Sequence, residues 1–140
     1  MITNISKITI NADPQRVWNV LTQPALVKQW QYNSDLHTDW QVGSTIEFVS
    51  KWEDQVFKQW GKVLAFDPPH QLAYSLFAPR PGLENKPENY FVMKYILAAA
   101  NGQTKLEIRM EDSRPGAVQE PEQGEESPVL QALKQLAESE

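Results

Sequence analysis

The sequence predicts an α+β fold in two layers, an antiparallel sheet with helices gathered on one face. Three observations lead there. Strand-like runs dominate the middle of the chain, and short turn signals join them, which is how antiparallel neighbours connect. Helical spacing occurs near the start and again at the end. So few helices cannot cover both faces of such a sheet, so they collect on one of them. A length of 140 residues is that of one domain, expected to span 1–140, and is long enough to bury a core without metal or disulfide staples.

The elements follow in order. Ile8 and Ile10 alternate with Lys7 and Thr9, which predicts a first strand over Ile2–Asn11. Asp13-Pro14 is a helix start, because Asp caps free amides and Pro is tolerated at the first helical position. Val17, Trp18 and Leu21 continue it, and Pro24 opens a second short helix with Leu26, Val27 and Trp30 on one side. Leu36–Trp40 is a short strand. Ser44–Trp52 and Val56–Phe66 are longer ones, turned at Glu53-Asp54-Gln55. Asp67-Pro68-Pro69-His70 is a turn and Leu72–Phe77 a further strand. Ala78–Glu88, with its prolines and Gly82, is a loop. Tyr90–Ala98 and Thr104–Asp112 make a hairpin around Asn101-Gly102, a pair that readily takes positive φ. Arg114–Ser127, rich in Pro, Gly, Gln and Glu, reads as a solvated loop. Ser127-Pro128 then caps an amphipathic helix carrying Val129, Leu130, Leu133, Leu136 and Ala137.

Composition excludes several chemistries. There is no cysteine, hence no thiol catalysis, disulfide, iron–sulfur cluster or thiolate zinc site. The net charge is −5, and its excess sits beyond Lys105, where three basic residues face nine acidic ones. An acidic total speaks against nucleic acid as a partner. No run approaches the ~18 apolar residues of a membrane span, and Met1–Ser6 lacks the apolar core of a signal peptide, so no membrane insertion and a cytoplasmic location are expected.

Alternation along the strands separates the two faces of the sheet. Lys105, Glu107 and Arg109 point out, leaving Thr104, Leu106, Ile108 and Met110 inside. Lys94 points out, leaving Phe91, Met93, Tyr95 and Leu97 inside. Glu47 and Lys51 point out, opposite Ile46, Phe48, Ser50 and Trp52. Lys58 and Lys62 carry Trp60 to the outer face and put Phe57, Gln59, Gly61 and Val63 inside, and Leu72, Tyr74 and Leu76 join them. The inner face so assigned is aromatic and contains Met, with Ser50, Gln59, Tyr74, Tyr95 and Thr104 as its polar groups and no Asp, Glu, His, Lys or Arg. A surface of this kind is either a filled core or the wall of a small-molecule pocket.

The order of these pieces resembles the START-like superfamily with its helix-grip fold, also called SRPBCC. Within it the chain is most similar to homologues of the C-terminal domain of the activator of heat-shock protein 90 ATPase. The resemblance rests on Ile8-Thr9-Ile10-Asn11-Ala12-Asp13-Pro14 with Val17-Trp18, then Leu21-Thr22-Gln23-Pro24 and Trp30. It continues through Gly43, Ile46 and Phe48, Gly61-Lys62-Val63, Asp67-Pro68-Pro69, Leu72-Ala73-Tyr74, Thr104-Lys105-Leu106 and the final Pro128–Leu136 helix. It implies a curved antiparallel sheet of six or seven strands wrapped around the C-terminal helix, with two short helices after the first strand and a cavity between sheet and helix. Relatives bind lipids, hormones or polyketides there, and some cyclise polyketides. The last helix here, Pro128–Glu138, is about 16 Å long at the standard rise. It lacks the tryptophan that relatives often carry near its start.

The inner-face list offers little for acid–base catalysis. Tyr74 and Tyr95 are its titratable groups, and an ordinary phenol ionises near pH ~10. Ser50 has no histidine beside it by pattern, and His70 belongs to an exposed turn. Asp35, His37 and Asp39 alternate on one strand face. Neighbours two apart are about 6.6 Å from each other, so a pair is within reach of a shared metal, but a solvated strand face explains the same alternation. No metal or cofactor is assigned.

The expected function is non-catalytic binding of a small hydrophobic or aromatic ligand between the sheet and the C-terminal helix. Trp30, Phe48, Trp52, Tyr74, Met93, Tyr95, Met110 and Leu133 are the expected lining, and Gln59, Tyr74 and Tyr95 are expected to orient the ligand. The first alternative is a protein-interaction module or chaperone ATPase cofactor. It would use a protein partner or a homodimer contact on the outer face near Trp60, together with the acidic tail. The second is an enzyme of the cyclase or hydratase kind, which requires an ionisable group inside.

Overall fold

The computed structural model describes residues 2–31, 34–52, 54–79, 81–114, 116–122, 124 and 127–139, without the side chain of Trp52. Strand β1 (Ile2–Ile10) leads into helices α1 (Pro14–Thr22) and α2 (Pro24–Trp30). The Asp13 carboxylate caps α1 by accepting from the Arg16 N–H at 2.9 Å, and Pro24 breaks the helical run in two. The Trp30 indole N–H donates to the Val20 carbonyl at 2.8 Å, fixing α2 against α1.

Strands β2 (Asp35–His37), β3 (Thr45–Trp52), β4 (Gln55–Asp67), β5 (Gln71–Leu76), β6 (Phe91–Ala100) and β7 (Gln103–Asp112) follow, and α3 (Pro128–Glu138) ends the series. Among the described residues the sheet has seven strands in the order β1-β7-β6-β5-β4-β3-β2, and every neighbouring pair is antiparallel. Asn101 and Gly102 turn the β6–β7 hairpin with φ of 53° and 81°, the left-handed values for which that pair is suited.

Two features curve the sheet. Gly61 lies where β4 and β5 approach so closely that an added Cβ would sit 1.8 Å from the Ser75 carbonyl oxygen. A shift in register between Val63 and Ala65 then inverts the alternation of β4. It carries Phe66 to the inner side, where its ring meets Trp18 at 5.2 Å and Trp40 at 5.4 Å.

The inner face packs on the helices, with Ile10, Val17, Val20, Val27, Ile46, Leu106 and Leu133 at 1% exposure or less. Helix α3 is pinned at its C-terminal end. Arg16 donates to the carbonyls of Leu136 at 2.9 Å and Ala137 at 3.3 Å, supplying partners that the last helical turn lacks. Glu138 accepts from the Asn11 N–H at 2.7 Å, and Lys134 donates to the Thr9 carbonyl at 3.1 Å. At the N-terminal end the Ser127 hydroxyl caps the helix, 3.5 Å from the Leu130 N–H.

Four expectations are corrected. The inner face does carry charge: Asp112, two residues past Met110 on the same side of β7, is 4% exposed. Arg114 returns to bind it at 2.7 Å, and that pairing makes the burial tolerable. Trp60 is on the outer face but half-buried. Phe77, one residue past Leu76 and so facing outward, packs on it at 5.3 Å and on Tyr90 at 5.3 Å. Phe57 faces inward but is 52% exposed, because the β3–β4 hairpin extends past the helices. The Leu36–Trp40 strand stops at His37, and Trp40 takes a φ of 59° and donates its indole N–H to the Thr22 carbonyl at 3.0 Å.

Most described residues of the Arg114–Ser127 loop are exposed, as expected, and part of it is also tethered. The Asn4 side chain donates to the Val118 carbonyl and accepts from the Glu120 N–H, so this part of the loop lies along edge strand β1. The turn expected at Glu53-Asp54-Gln55 includes Glu53, which lies outside the described residues.

Candidate functional site

The inner face is filled at one end and hollow at the other. The hollow is a cavity of about 390 Å³, within the range of small-molecule sites. The sheet supplies Phe48 and Ser50 from β3, Phe57 and Gln59 from β4, Tyr74 and Leu76 from β5, and Phe91, Met93 and Tyr95 from β6. The helical layer supplies Trp30 and Gln31 at the end of α2 and Val129 in the first turn of α3, and Ser34 closes the gap between α2 and β2. Larger hollows of about 620 Å³ and 660 Å³ lie on the outer face. Lys7, Lys105 and Glu107 wall one, and Lys62 and the 47%-exposed Leu64 the other.

On the wall of the inner cavity the Tyr74 and Tyr95 hydroxyls meet at 3.2 Å, and their rings stack at 6.0 Å. Phe48 supports the Tyr74 ring from one side at 5.6 Å, and Trp40 lies at 6.3 Å. Burial pushes both phenols above their usual ionisation, and for Tyr74 the neighbouring Tyr95 adds to the rise. At neutral pH both are therefore protonated hydrogen-bonding groups. Ser34 and Ser50 pair their hydroxyls at 2.7 Å, and the Trp30 indole N–H is already committed to Val20.

The buried carboxylate does not reach the cavity wall. Asp112 accepts from the Arg114 guanidinium at 2.9 and 2.7 Å, and these bonds raise the Arg114 pKa further. The guanidinium lies 4.4 Å over the ring of Phe91, with that ring on the cavity wall. Near β2, Asp35 binds Lys28 at 3.0 Å, which lowers its pKa, and Asp39 accepts from the Gln41 N–H.

Trp30, Phe48, Gln59, Tyr74, Met93 and Tyr95, all expected in the site, line this one cavity. Leu133 does not; it is fully buried in the packed core. Met110 packs half-buried against that core and is not among the lining residues, and the Trp52 side chain lies outside the described residues. Of the lining residues not singled out as site members, Phe57, Leu76, Phe91 and Ser50 carried the inward strand parity that could have found them. Gln31, Ser34 and Val129 carried no such signal, because a helix end and a loop are aimed by packing alone.

The family model for Activator of Hsp90 ATPase homolog 1-like protein matches residues 11–138. The chain belongs to this family. No curated protein matches it. Among solved structures, the chain is similar to a Cytophaga hutchinsonii protein at 28% identity, covering 80% of this chain and 77% of that one, with a TM-score of 0.69. A Chromobacterium violaceum protein matches at 19% identity over 99% of this chain and 98% of that one, with a TM-score of 0.73. The Aha1 dimer from Colwellia psychrerythraea matches at 21% identity over 84% of this chain and 81% of its own, with a TM-score of 0.63. The fold is the α+β helix-grip fold of the START-like superfamily, with its antiparallel sheet and C-terminal helix. Among the described residues, no helix is long and apolar enough to cross a membrane.

Proposed function

We propose that this family member binds a small apolar or aromatic molecule in the inner cavity, without chemistry, as a cytoplasmic domain spanning 1–140. The observation that supports this reading is the cavity itself: the sheet and the helical layer together bound about 390 Å³ with largely aromatic walls. Phe48, Met93 and the tyrosine rings supply the apolar contact, and Gln59 at the rim has no side-chain hydrogen bond among the described residues. A cyclase or hydratase reading lacks support from the wall, whose titratable groups are tyrosines held in their protonated form.

A chaperone-cofactor or homodimer role through the outer face draws on the family description and on the dimeric Colwellia psychrerythraea neighbour. Trp60 supports it poorly as an anchor, since its ring is already packed on Phe77.

The test is native mass spectrometry of the freshly purified protein, with tryptophan fluorescence titrated against lipids, flavonoids and polycyclic aromatics. A saturable response that Val129→Trp abolishes while the thermal transition stays is the expected result, because that substitution fills the cavity from the first turn of α3. No bound mass and no saturable response would sink the reading.

A further inference from the structure

The tyrosine pair in the cavity has one hydrogen too many. Each hydroxyl carries one hydrogen, and the single bond of 3.2 Å between Tyr74 and Tyr95 uses only one of the two. Neither hydroxyl makes another hydrogen bond among the described residues. Both residues are buried, at 4% and 5% exposure, and line the cavity, so once a molecule fills it that molecule is what the spare hydroxyl hydrogen meets. A buried hydroxyl hydrogen without an acceptor is unfavourable, and an acceptor entering the cavity relieves it.

The rest of the wall sets the charge of what enters. Its polar members are Gln31, Ser34, Ser50 and Gln59, none of them ionised. The nearby guanidinium, Arg114, is behind the Phe91 ring and committed to Asp112. A carboxylate or ammonium placed in this cavity would lose its water and meet no counter-charge.

We propose that the cavity selects a neutral ring compound bearing a carbonyl oxygen, which the Tyr74–Tyr95 pair receives through whichever hydroxyl is not donating to its partner. This rests on the ligand-binding reading above and adds the polarity and charge of the ligand. The two tyrosines share the task, because the bond between them can run either way. Removing one hydroxyl therefore frees the other to donate to the ligand, and only removal of both ends the preference.

The test is calorimetric titration with 2-acetylnaphthalene, 2-ethylnaphthalene and 2-naphthoate, which share a ring and differ in the acceptor and charge. Wild type is expected to bind the ketone about tenfold more tightly than the hydrocarbon, the gain of one buried hydrogen bond, and the carboxylate most weakly. Tyr74→Phe and Tyr95→Phe are each expected to keep the preference for the ketone. The double variant loses it while still binding the hydrocarbon, which also shows that the double variant is folded. Equal binding of ketone and hydrocarbon by wild type, or strongest binding of the carboxylate, overturns the inference alone and leaves the cavity reading standing. Loss of the preference in a single variant that still binds the hydrocarbon overturns the shared role. If wild type binds none of the three, the cavity reading falls and this inference with it.

Discussion

The two ends of the inner face share strands β3 to β6, yet one is packed with aliphatic side chains such as Ile46, Val63, Leu72 and Leu97 and the other is hollow behind largely aromatic ones. At the packed end, Leu133 of α3 and Val17 and Val20 of α1 meet Ile10 and Leu106, all nearly or fully closed to solvent. At the hollow end, Phe48, Met93 and Tyr95 have only the end of α2 and the first turn of α3 above them. One difference is helical cover. Arg16, Asn11 and Thr9 hold the C-terminal part of α3 down on α1 and β1. The cavity thus lies where the end of α2 and the first turn of α3 are the helical cover, and where the inner face turns from aliphatic to aromatic and polar side chains.

The strongest way to break this contrast is Leu133→Ala. It leaves a void in a fully buried site and is expected to lower stability by about 2–5 kcal/mol in urea unfolding. A change below ~1 kcal/mol would show that the packed end is not packed.

The alkaline limb of the stability curve separates the two ends next. Both buried phenols have folded pKa values raised above the unfolded value of 10.0. Below pH 10 their contribution is fully present. Above it the unfolded state gives up protons that the folded state retains, so stability falls as pH rises, by about 1.4 kcal/mol per pH unit for each tyrosine. Tyr74→Phe/Tyr95→Phe should flatten that limb, and an unchanged slope would place the titrating groups elsewhere.

Met93→Ala sharpens the contrast at lower amplitude. Met93 is half-buried beside existing empty space, so about 1 kcal/mol of lost stability is expected, well short of the Leu133 variant. Equal losses from the two variants would erase the distinction between the ends.

Glu138→Gln is the mildest test. Lys134 and the Asn11 N–H lower the Glu138 pKa below 4.5, so its stabilisation is present above that pH and lost as pH falls through the folded value. A loss of about 0.3–0.5 kcal/mol at pH 7 is expected, shrinking towards zero in acid. A loss that persists at pH 2 would point to packing instead of charge.

Much of this architecture was legible in the chain. Asp13-Pro14 and Ser127-Pro128 mark helix starts that the structure places at the same residues, because capping is a local interaction. Asn101-Gly102 marks its hairpin for the same reason. The strand faces were legible from charged residues, since the period of two is a property of the extended backbone. The bulge after Val63 was not, and it sent Phe66 to the opposite side from simple alternation.

The sequence by itself determined most of the elements, their order and the face of the strand residues before the β4 bulge, through caps, turn residues and alternation that act over a few positions. Only the tertiary structure decided that Leu133 belongs to the filled end and that Val129 and Gln31 reach the cavity. It also folded Arg114 back on Asp112 and screened Trp60 with Phe77. Those outcomes depend on where two layers overlap and on which side chains meet across long stretches of chain, and no local pattern encodes that distance.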